Sequence, residues 1–226
     1  PERSQEPALG FLEEIHEITR RAGSVLVFDE ITAGWKMNTG GIHMTYGVHP
    51  DLAVFSKAMA NGYAMSAVIG KREVMEAAQT TFISSTSWTE RIGPAAALAT
   101  LQKHRREDVP AYLNKMGLRV RQGWIKAAGR AGLNLQAAGI PPLGTFSLDH
   151  PQKLELLTLF IQEMLDRGFL ATAQFVPMLS HTDDQVDGYL KAVDEVFQIL
   201  TMALDRGDLK ERLRGPVKHT GFVRLN

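Results

Sequence analysis

The sequence predicts an α/β fold, in which a mostly parallel sheet with helices is followed by a small α+β domain. Two continuous apolar runs, at 25–28 and 52–55, are too short for amphipathic helices and are typical of strands covered on both faces. Apolar residues at helical spacing surround these runs. At 105–108 the charge rises and the strand-rich pattern stops, which indicates a domain boundary. We therefore predict two domains, at 1–106 and 107–226.

The first domain is predicted to begin with an amphipathic helix. Phe11, Leu12, Ile15 and Ile18 recur at helical spacing, and Gly23 ends the helix. The remaining elements are strands at 25–28, 52–55 and 64–70 and helices at 72–80 and 94–104, the last with Pro94 at its first position. We expect most of this sheet to be parallel because its strands read as continuous apolar runs.

The second domain is predicted to open on a long helix at 109–129. Its apolar face is formed by Leu113, Met116, Val120 and Trp124. The remaining elements are short strands at 134–138 and 144–149, a helix at 153–167 that ends at Gly168, and a helix at 183–205 opened by a Thr182–Gln185 capping box.

The amino-acid composition excludes several classes of binding partner and of functional site. The 226 residues carry 25 basic and 25 acidic side chains, so no charged field indicates nucleic acid or an anionic membrane. No apolar run approaches the ~20 residues of a membrane helix, and we expect a cytoplasmic protein. Because the chain has no cysteine, thiol nucleophiles and cysteine-ligated metals are excluded. We expect no metal site, and we expect His43, His49 and His181 to be solvated in loops.

Asp29 and Lys57 are the candidate chemical groups, since Asp29 directly follows the first predicted strand and Lys57 comes two residues after the second. Ligands of open parallel sheets bind outside the carboxyl ends of the strands, so adjacent strand ends would bring a carboxylate and an amine into one crevice. Taken singly, each residue also fits an ordinary role. Asp29 could cap a turn or helix, and Lys57 could be a solvated surface lysine.

A resemblance to a known family rests on two motifs. VLVFDEITAG is followed, 28 positions after its aspartate, by the lysine of AVFSKAMANGY. This pattern resembles the class III aminotransferases, pyridoxal-phosphate enzymes of fold type I, and is most similar to the branch containing glutamate-1-semialdehyde aminomutase. The likeness covers nearly the whole chain, as the later part of the family's large domain and its C-terminal domain. The family's glycine-rich segment and ring-stacking aromatic come earlier, and we expect them outside this sequence.

The resemblance implies pyridoxal 5′-phosphate as cofactor and gives three residues a role at its ring. Asp29 would lie under the pyridine nitrogen as a buried carboxylate and keep it protonated, a charge tolerable because its partner is a charge. Lys57 would form the Schiff base and, once released, carry a proton between the substrate and the cofactor. Ile31 would pack against the ring, a role compatible with ordinary core packing.

The resemblance also implies a homodimer with shared active sites, in which a Gly-Thr pair of the neighbouring subunit binds the cofactor phosphate. Counting back five residues from Pro94 gives Thr89. The preceding glycine of the family is Trp88 here, and an indole would obstruct the backbone access that glycine gives. Thr86 is therefore a second candidate, although a threonine here could merely cap a turn.

Three functions remain open at this point. The resemblance implies an aminotransferase, which moves an amino group from a small-molecule donor to a carbonyl acceptor. The same residues would serve an intramolecular aminomutase, and a truncated, non-catalytic fragment of the fold is the third alternative. The loop at 34–41 and the segment at 175–178 depart from the family's glycine-arginine loop and carboxylate-binding arginine. We therefore expect a substrate unlike ω-amino acids.

Overall fold

The computed structural model describes residues 6–84 and 86–219. Contacts divide these residues into two compact units, an N-terminal unit that ends at Asn114 and a C-terminal unit that begins at Lys115. This division falls inside a long helix, α5, which spans Val109–Ala131. The boundary predicted at 106/107 lies before that helix. None of the described helices is both long enough and apolar enough to cross a membrane.

The N-terminal unit contains three strands and several helices before α5. Its elements are α1 at Phe11–Ala22, β1 at Val27–Asp29, α2 at His43–Tyr46, β2 at Leu52–Phe55, β3 at Ala67–Gly70, α3 at Arg72–Met75 and α4 at Ile92–Arg106. Short 3₁₀ turns lie at Lys57–Met59 and Glu76–Thr80. α1 ends as predicted, because Gly23 adopts the left-handed conformation (φ +65°) that terminates helices.

The N-terminal sheet has the order β1-β2-β3. β1 pairs with β2 in parallel, with Asp29 opposite Val54, whereas β2 pairs with β3 antiparallel. The described sheet therefore contains one parallel and one antiparallel pair. Because β1 and β2 are parallel, their carboxyl ends lie side by side, and the segments that follow the two strands leave the sheet at the same place.

The prediction that the first strand is covered on both faces is wrong for the described chain. Leu26 is buried and Phe28 packs edge-on against the ring of His43, so this face is covered. On the opposite face, Val25 and Val27 are about half exposed, at 50% and 49%. β1 is the edge strand of the described sheet, and its second face is left without a covering layer.

The C-terminal unit combines an antiparallel sheet with long helices. Its elements are β4 at Leu135–Ala138, β5 at Gly144–Leu148, α6 at Lys153–Asp166, β6 at Gln174–Phe175 and α7 at Asp183–Arg206. The strand order is β4-β5-β6. The predicted capping box is confirmed, since the Gln185 amide donates to the Thr182 hydroxyl and the Gln185 side chain accepts from the Thr182 amide.

An aromatic cluster forms the core of the C-terminal unit. Phe146 lies at the centre, with ring centroids 5.0 Å from Trp124, 5.3 Å from Phe160 and 5.8 Å from Phe197. Trp124 is fully buried on the predicted face of α5. Its indole Nε1 donates a hydrogen bond of 2.9 Å to the hydroxyl of Tyr189 on α7, which satisfies the polar end of the buried ring.

Tyr189→Phe is expected to lower the free energy of unfolding by about 1–3 kcal/mol, because the buried Trp124 indole loses its acceptor. Burial also raises the pKa of Tyr189 to about 12, from the ordinary value of 10. Tyr189 therefore loses its hydroxyl proton at higher pH in the folded state than in the unfolded state. Its contribution to the free energy of unfolding falls as the pH rises from 10 to about 12. Urea unfolding at pH 8 and pH 11 checks both effects, and the pH effect should disappear in Tyr189→Phe.

Candidate active site

Asp29 and Lys57, the two candidate chemical groups, lie at the carboxyl ends of the parallel strands β1 and β2. The pairing continues one residue past β1, where the Glu30 amide donates to the Val54 carbonyl at 2.9 Å. Three residues beyond the Asp29–Val54 register pair, the chain reaches Thr32 on one side and Lys57 on the other. The Lys57 Nζ donates to the Thr32 hydroxyl at 2.8 Å. The Lys57 amine is thus held by the turn that follows Asp29.

Lys57 has an unusual backbone conformation. Its φ of +47° lies in the left-handed region, which costs a residue with a Cβ roughly 1–2 kcal/mol. Next to it, Ser56 is extended and its hydroxyl donates to the Met65 carbonyl at 2.8 Å. The backbone turns sharply between the strand and the 3₁₀ turn that Lys57 begins. Strain of this kind is typical of functional positions, where the surrounding structure maintains it.

Asp29 is exposed, so the prediction of a buried carboxylate at this position is wrong for the described chain. Its Oδ1 accepts the Ile31 amide at 3.0 Å, which fixes the carboxylate at the strand end. Turn aspartates make the same bond, so this contact does not by itself assign a role. Ile31, predicted to pack on a cofactor ring, is half-buried directly beside Asp29.

The buried carboxylate of the motif is Glu30, which is only 2% exposed. Its Oε1 accepts the amide of His43 at 3.0 Å and lies 2.8 Å from the His43 Nδ1. His43 is 9% exposed, so the prediction that it is solvated is wrong. The reason is its carboxylate partner, which lies 13 residues earlier and could not be identified from spacing.

Lys36 is a second amine near Lys57 that the sequence did not single out. Its side chain is half-buried in the loop after Asp29. Burial lowers the pKa of the Lys36 amine, and the nearby charge of Lys57 lowers it further. The folded state therefore binds this proton less well than the unfolded state. The contribution of Lys36 to the free energy of unfolding therefore increases as the pH rises from its lowered pKa toward 10.5.

Lys57→Ala is expected to raise the pKa of Lys36, because it removes the like charge that opposes protonation. The pKa should stay below 10.5, since burial is the larger cause and remains. NMR titration of ¹³C-labelled lysines measures the shift. Lys71→Ala is the matched control, because Lys71 pairs with Asp51 at 2.8 Å and does not act on Lys36. Equal Lys36 titrations in the two variants would contradict the proximity of the two amines.

The loop that carries Thr32 and Lys36 is anchored to α4. The buried His104 contacts the Trp35 carbonyl through Nε2 at 2.9 Å and the Thr39 hydroxyl through Nδ1 at 3.0 Å. The bond to a carbonyl requires a proton on Nε2, so neutral His104 accepts from Thr39. Trp35 also packs on Phe55 of β2, with ring centroids 5.7 Å apart.

Thr86 and Thr89, the predicted phosphate ligands, lie in an exposed turn before α4. No contact described in the structure joins either of them to Lys57, and their role stays a prediction. α4 begins at Ile92, where the Glu90 carboxylate accepts hydrogen bonds from the first two amide groups of the helix. These bonds lower the pKa of Glu90. Pro94 is therefore the third helical residue, and its predicted first position is wrong.

The donor set at this edge fits pyridoxal phosphate. It offers a primary amine that can bond covalently to an aldehyde, a hydroxyl that orients the amine, and a carboxylate on the adjacent strand. Sequence reasoning missed Thr32 and Lys36 at this site. Thr32 could have been found from the strand register, since it stands as far beyond Asp29 as Lys57 stands beyond Val54.

The sequence of this chain is similar to those of curated transaminases and aminomutases. A 2′-deamino-2′-hydroxyneamine transaminase of Streptomyces kanamyceticus is 33% identical over 183 residues, 80% of this chain and 46% of its own length. A glutamate-1-semialdehyde 2,1-aminomutase of Desulfosudis oleivorans is 29% identical over 209 residues, 85% of this chain and 49% of its own. The chain thus spans about half the length of these curated relatives.

Solved structures show the same fold. The FumI protein of Sphingopyxis sp. MTA144, in its PLP internal aldimine form, superposes with a TM-score of 0.83 at 24% identity, over 90% of this chain and 50% of that one. An omega-transaminase of Sphaerobacter thermophilus gives a TM-score of 0.77 at 24% identity, over 87% of this chain and 49% of its own. The family model described as aminotransferase class-III matches residues 5–197. The chain, with its aspartate and lysine at the ends of neighbouring parallel strands, therefore belongs to the class III aminotransferase family.

Proposed function

We propose that the protein carrying this chain is a pyridoxal-phosphate-dependent aminotransferase, which moves an amino group from a small-molecule donor to a carbonyl acceptor. The observation that carries the proposal is the Lys57 amine, held 2.8 Å from the Thr32 hydroxyl at the strand end next to that of Asp29. Membership of the class III family supports the same chemistry. Bound pyridoxal phosphate supplies an electron sink for the carbon that carries the amino group.

Lys57 has two roles in this proposal. Its amine bonds covalently and reversibly to the cofactor, which fixes the cofactor at the sheet edge. When it is not bonded to the cofactor, the Lys57 amine would act as a base and acid that moves a proton at the substrate carbon. The Thr32 hydroxyl accepts a hydrogen bond from the Lys57 amine and so orients that amine. The strained backbone of Lys57 sets the direction in which its side chain leaves the turn.

Asp29 serves as the fixed negative charge. Its carboxylate, held by the Ile31 amide, would face the pyridine nitrogen and keep a proton on that atom. Ile31 would support the ring from the side. Asp29 is exposed in the described chain, and we propose that the bound cofactor covers it.

A homodimer is part of the proposal. Thr86 and Thr89 are exposed and make no described contact with Lys57 of their own chain, which suits residues that bind the cofactor phosphate of a partner. Mixing a Lys57→Ala protein with a Thr86→Val/Thr89→Val protein tests this arrangement, because mixed dimers would regain one intact site. A cytoplasmic location likewise stays a proposal.

An intramolecular aminomutase is the second candidate, favoured by the glutamate-1-semialdehyde aminomutases among the relatives. The test uses protein expressed from its complete reading frame and loaded with cofactor. Incubated with one amino donor, an aminotransferase releases no more carbonyl product than there are active sites until an acceptor is added. An aminomutase isomerises its substrate continuously without an acceptor. A protein that binds no cofactor would contradict both candidates and leave the non-catalytic alternative.

A further inference from the structure

Glu30 and His43 form a buried pair to which the proposed reaction gives no part. Glu30 is the one carboxylate among the buried side chains of residues 6–84 and 86–219. Its Oε1 receives two contacts from His43, at 3.0 Å from the amide and 2.8 Å from Nδ1. Its Oε2 is buried and has no hydrogen-bond partner among the described residues. Burying this carboxylate therefore costs free energy that its contacts only partly offset.

The pair closes the loop that follows Asp29. At the start of the loop, the Glu30 carbonyl accepts the Gly34 amide at 2.8 Å. In the middle, the Trp35 amide donates to the Gly40 carbonyl at 2.8 Å. At the end, the Glu30 carboxylate holds His43. One residue thus fixes both ends of the loop at 31–42, and Thr32, the partner of the Lys57 amine, lies inside it.

The backbone of this loop passes directly over the pair. A Cβ added to Gly41 would lie 2.3 Å from the His43 ring and 2.8 Å from the Glu30 Oε1. The φ of Gly41 is not in the left-handed region, so the missing side chain reflects close packing rather than backbone conformation. Any side chain at this position must displace the His43 ring from the Glu30 carboxylate or shift the backbone of the loop.

Stability alone does not account for a buried carboxylate with an unpartnered oxygen at this position. Replacing two buried hydrogen-bonded partners by apolar groups of similar shape is often nearly neutral or stabilising. A directional bond does fix the loop in one arrangement, and that arrangement is what brings the Thr32 hydroxyl to the Lys57 amine. We propose that Glu30 and His43 are positioning residues, which hold Thr32 and thereby set the position and reactivity of the Lys57 amine.

The first test compares two glycine substitutions. Gly41→Ala displaces the His43 ring or the loop backbone, whereas Gly129→Ala adds the same methyl group within α5, where nothing lies within 4 Å. We expect Gly41→Ala to change the rate at which the Lys57 amine is acylated by acetic anhydride, with loss of acetate, and to weaken cofactor binding, each roughly 10- to 100-fold. Gly129→Ala should leave both unchanged. Acylation is followed by peptide mass spectrometry. Values for Gly41→Ala within about twofold of the control would overturn the proposal.

The second test asks whether Glu30 acts through Thr32. In a double-mutant cycle, Glu30→Met and Thr32→Val should each alter Lys57 acylation, and the double variant should differ little from Thr32→Val alone, because Glu30 has no effect once Thr32 is absent. Additive effects would show that Glu30 does not act through Thr32. If Glu30→Met does not fold, His43→Asn and His43→Leu replace it. The asparagine keeps an N–H donor at the position of Nδ1 and should retain the wild-type rate, whereas the leucine should not.

This inference rests on the proposed function only for the importance of Lys57. Acylation of Lys57 and hydrogen exchange of the amides at 31–42 report the position of the loop without any cofactor. If wild-type protein fails to bind pyridoxal phosphate but the acylation cycle behaves as expected, the proposed function fails and the positioning role stands. If cofactor binds and the cycle is additive, the positioning role fails and the proposed function stands.

Discussion

Lys57→Ala is expected to abolish covalent attachment of pyridoxal phosphate. It should also lower the rate of amino-group transfer by roughly 10²- to 10⁴-fold, the loss typical of a positioned proton-transfer group. The reason is that the same amine both holds the cofactor and moves the proton. The measurements are kcat and the visible absorbance of the cofactor-loaded protein. A Lys57→Ala protein that keeps the absorbance band and substantial activity would contradict the assignment.

A matched pair of variants separates the chemistry of Lys57 from its backbone strain. Lys57→Gly loses the same amine as Lys57→Ala, but glycine adopts a φ of +47° without the Cβ penalty. Both variants should be equally inactive, while the glycine protein should be more stable than the alanine protein by roughly 1 kcal/mol. Lys71→Ala, at a lysine paired with Asp51, should keep activity.

Asp29→Asn is expected to lower kcat by roughly 10²- to 10³-fold, as for removal of an electrostatic group that stabilises developing charge. Asparagine can still accept the Ile31 amide, so the turn and the free energy of unfolding should change little. Steady-state kinetics and thermal unfolding, measured on the same preparation, check both parts. If Asp29 only stabilises a turn, Asp29→Asn will be as active as the wild type.

Local signals predicted most of the elements. β2 spans Leu52–Phe55 as the continuous apolar run indicated, because its length and composition exclude a helix. α7 begins after Thr182, where the capping box satisfies amide groups at the helix start. The predicted apolar face of α5 packs into the aromatic core through Trp124. Each of these features depends on residues within a few positions of one another.

The candidate site was only partly predictable, because its contacts join residues far apart in the sequence. The motif alone could not show that Glu30 is buried and Asp29 exposed, since the choice depends on His43. The bond between Thr32 and Lys57, which are 25 residues apart, could be predicted only once the register of β1 and β2 is known. The solvation predicted for His43 was wrong for the same reason. The placement of Asp29 and Lys57 at one sheet edge was predictable, because it follows from parallel strands.

The most direct test of the central claim is to identify the residue that bonds to the cofactor. Protein expressed from its complete reading frame is incubated with pyridoxal phosphate, reduced with borohydride, digested and mapped by peptide mass spectrometry. We predict a pyridoxyl group on Lys57 and none on Lys36, although the two amines are close. A label on Lys36 instead, or scattered weakly over surface lysines, would contradict the account.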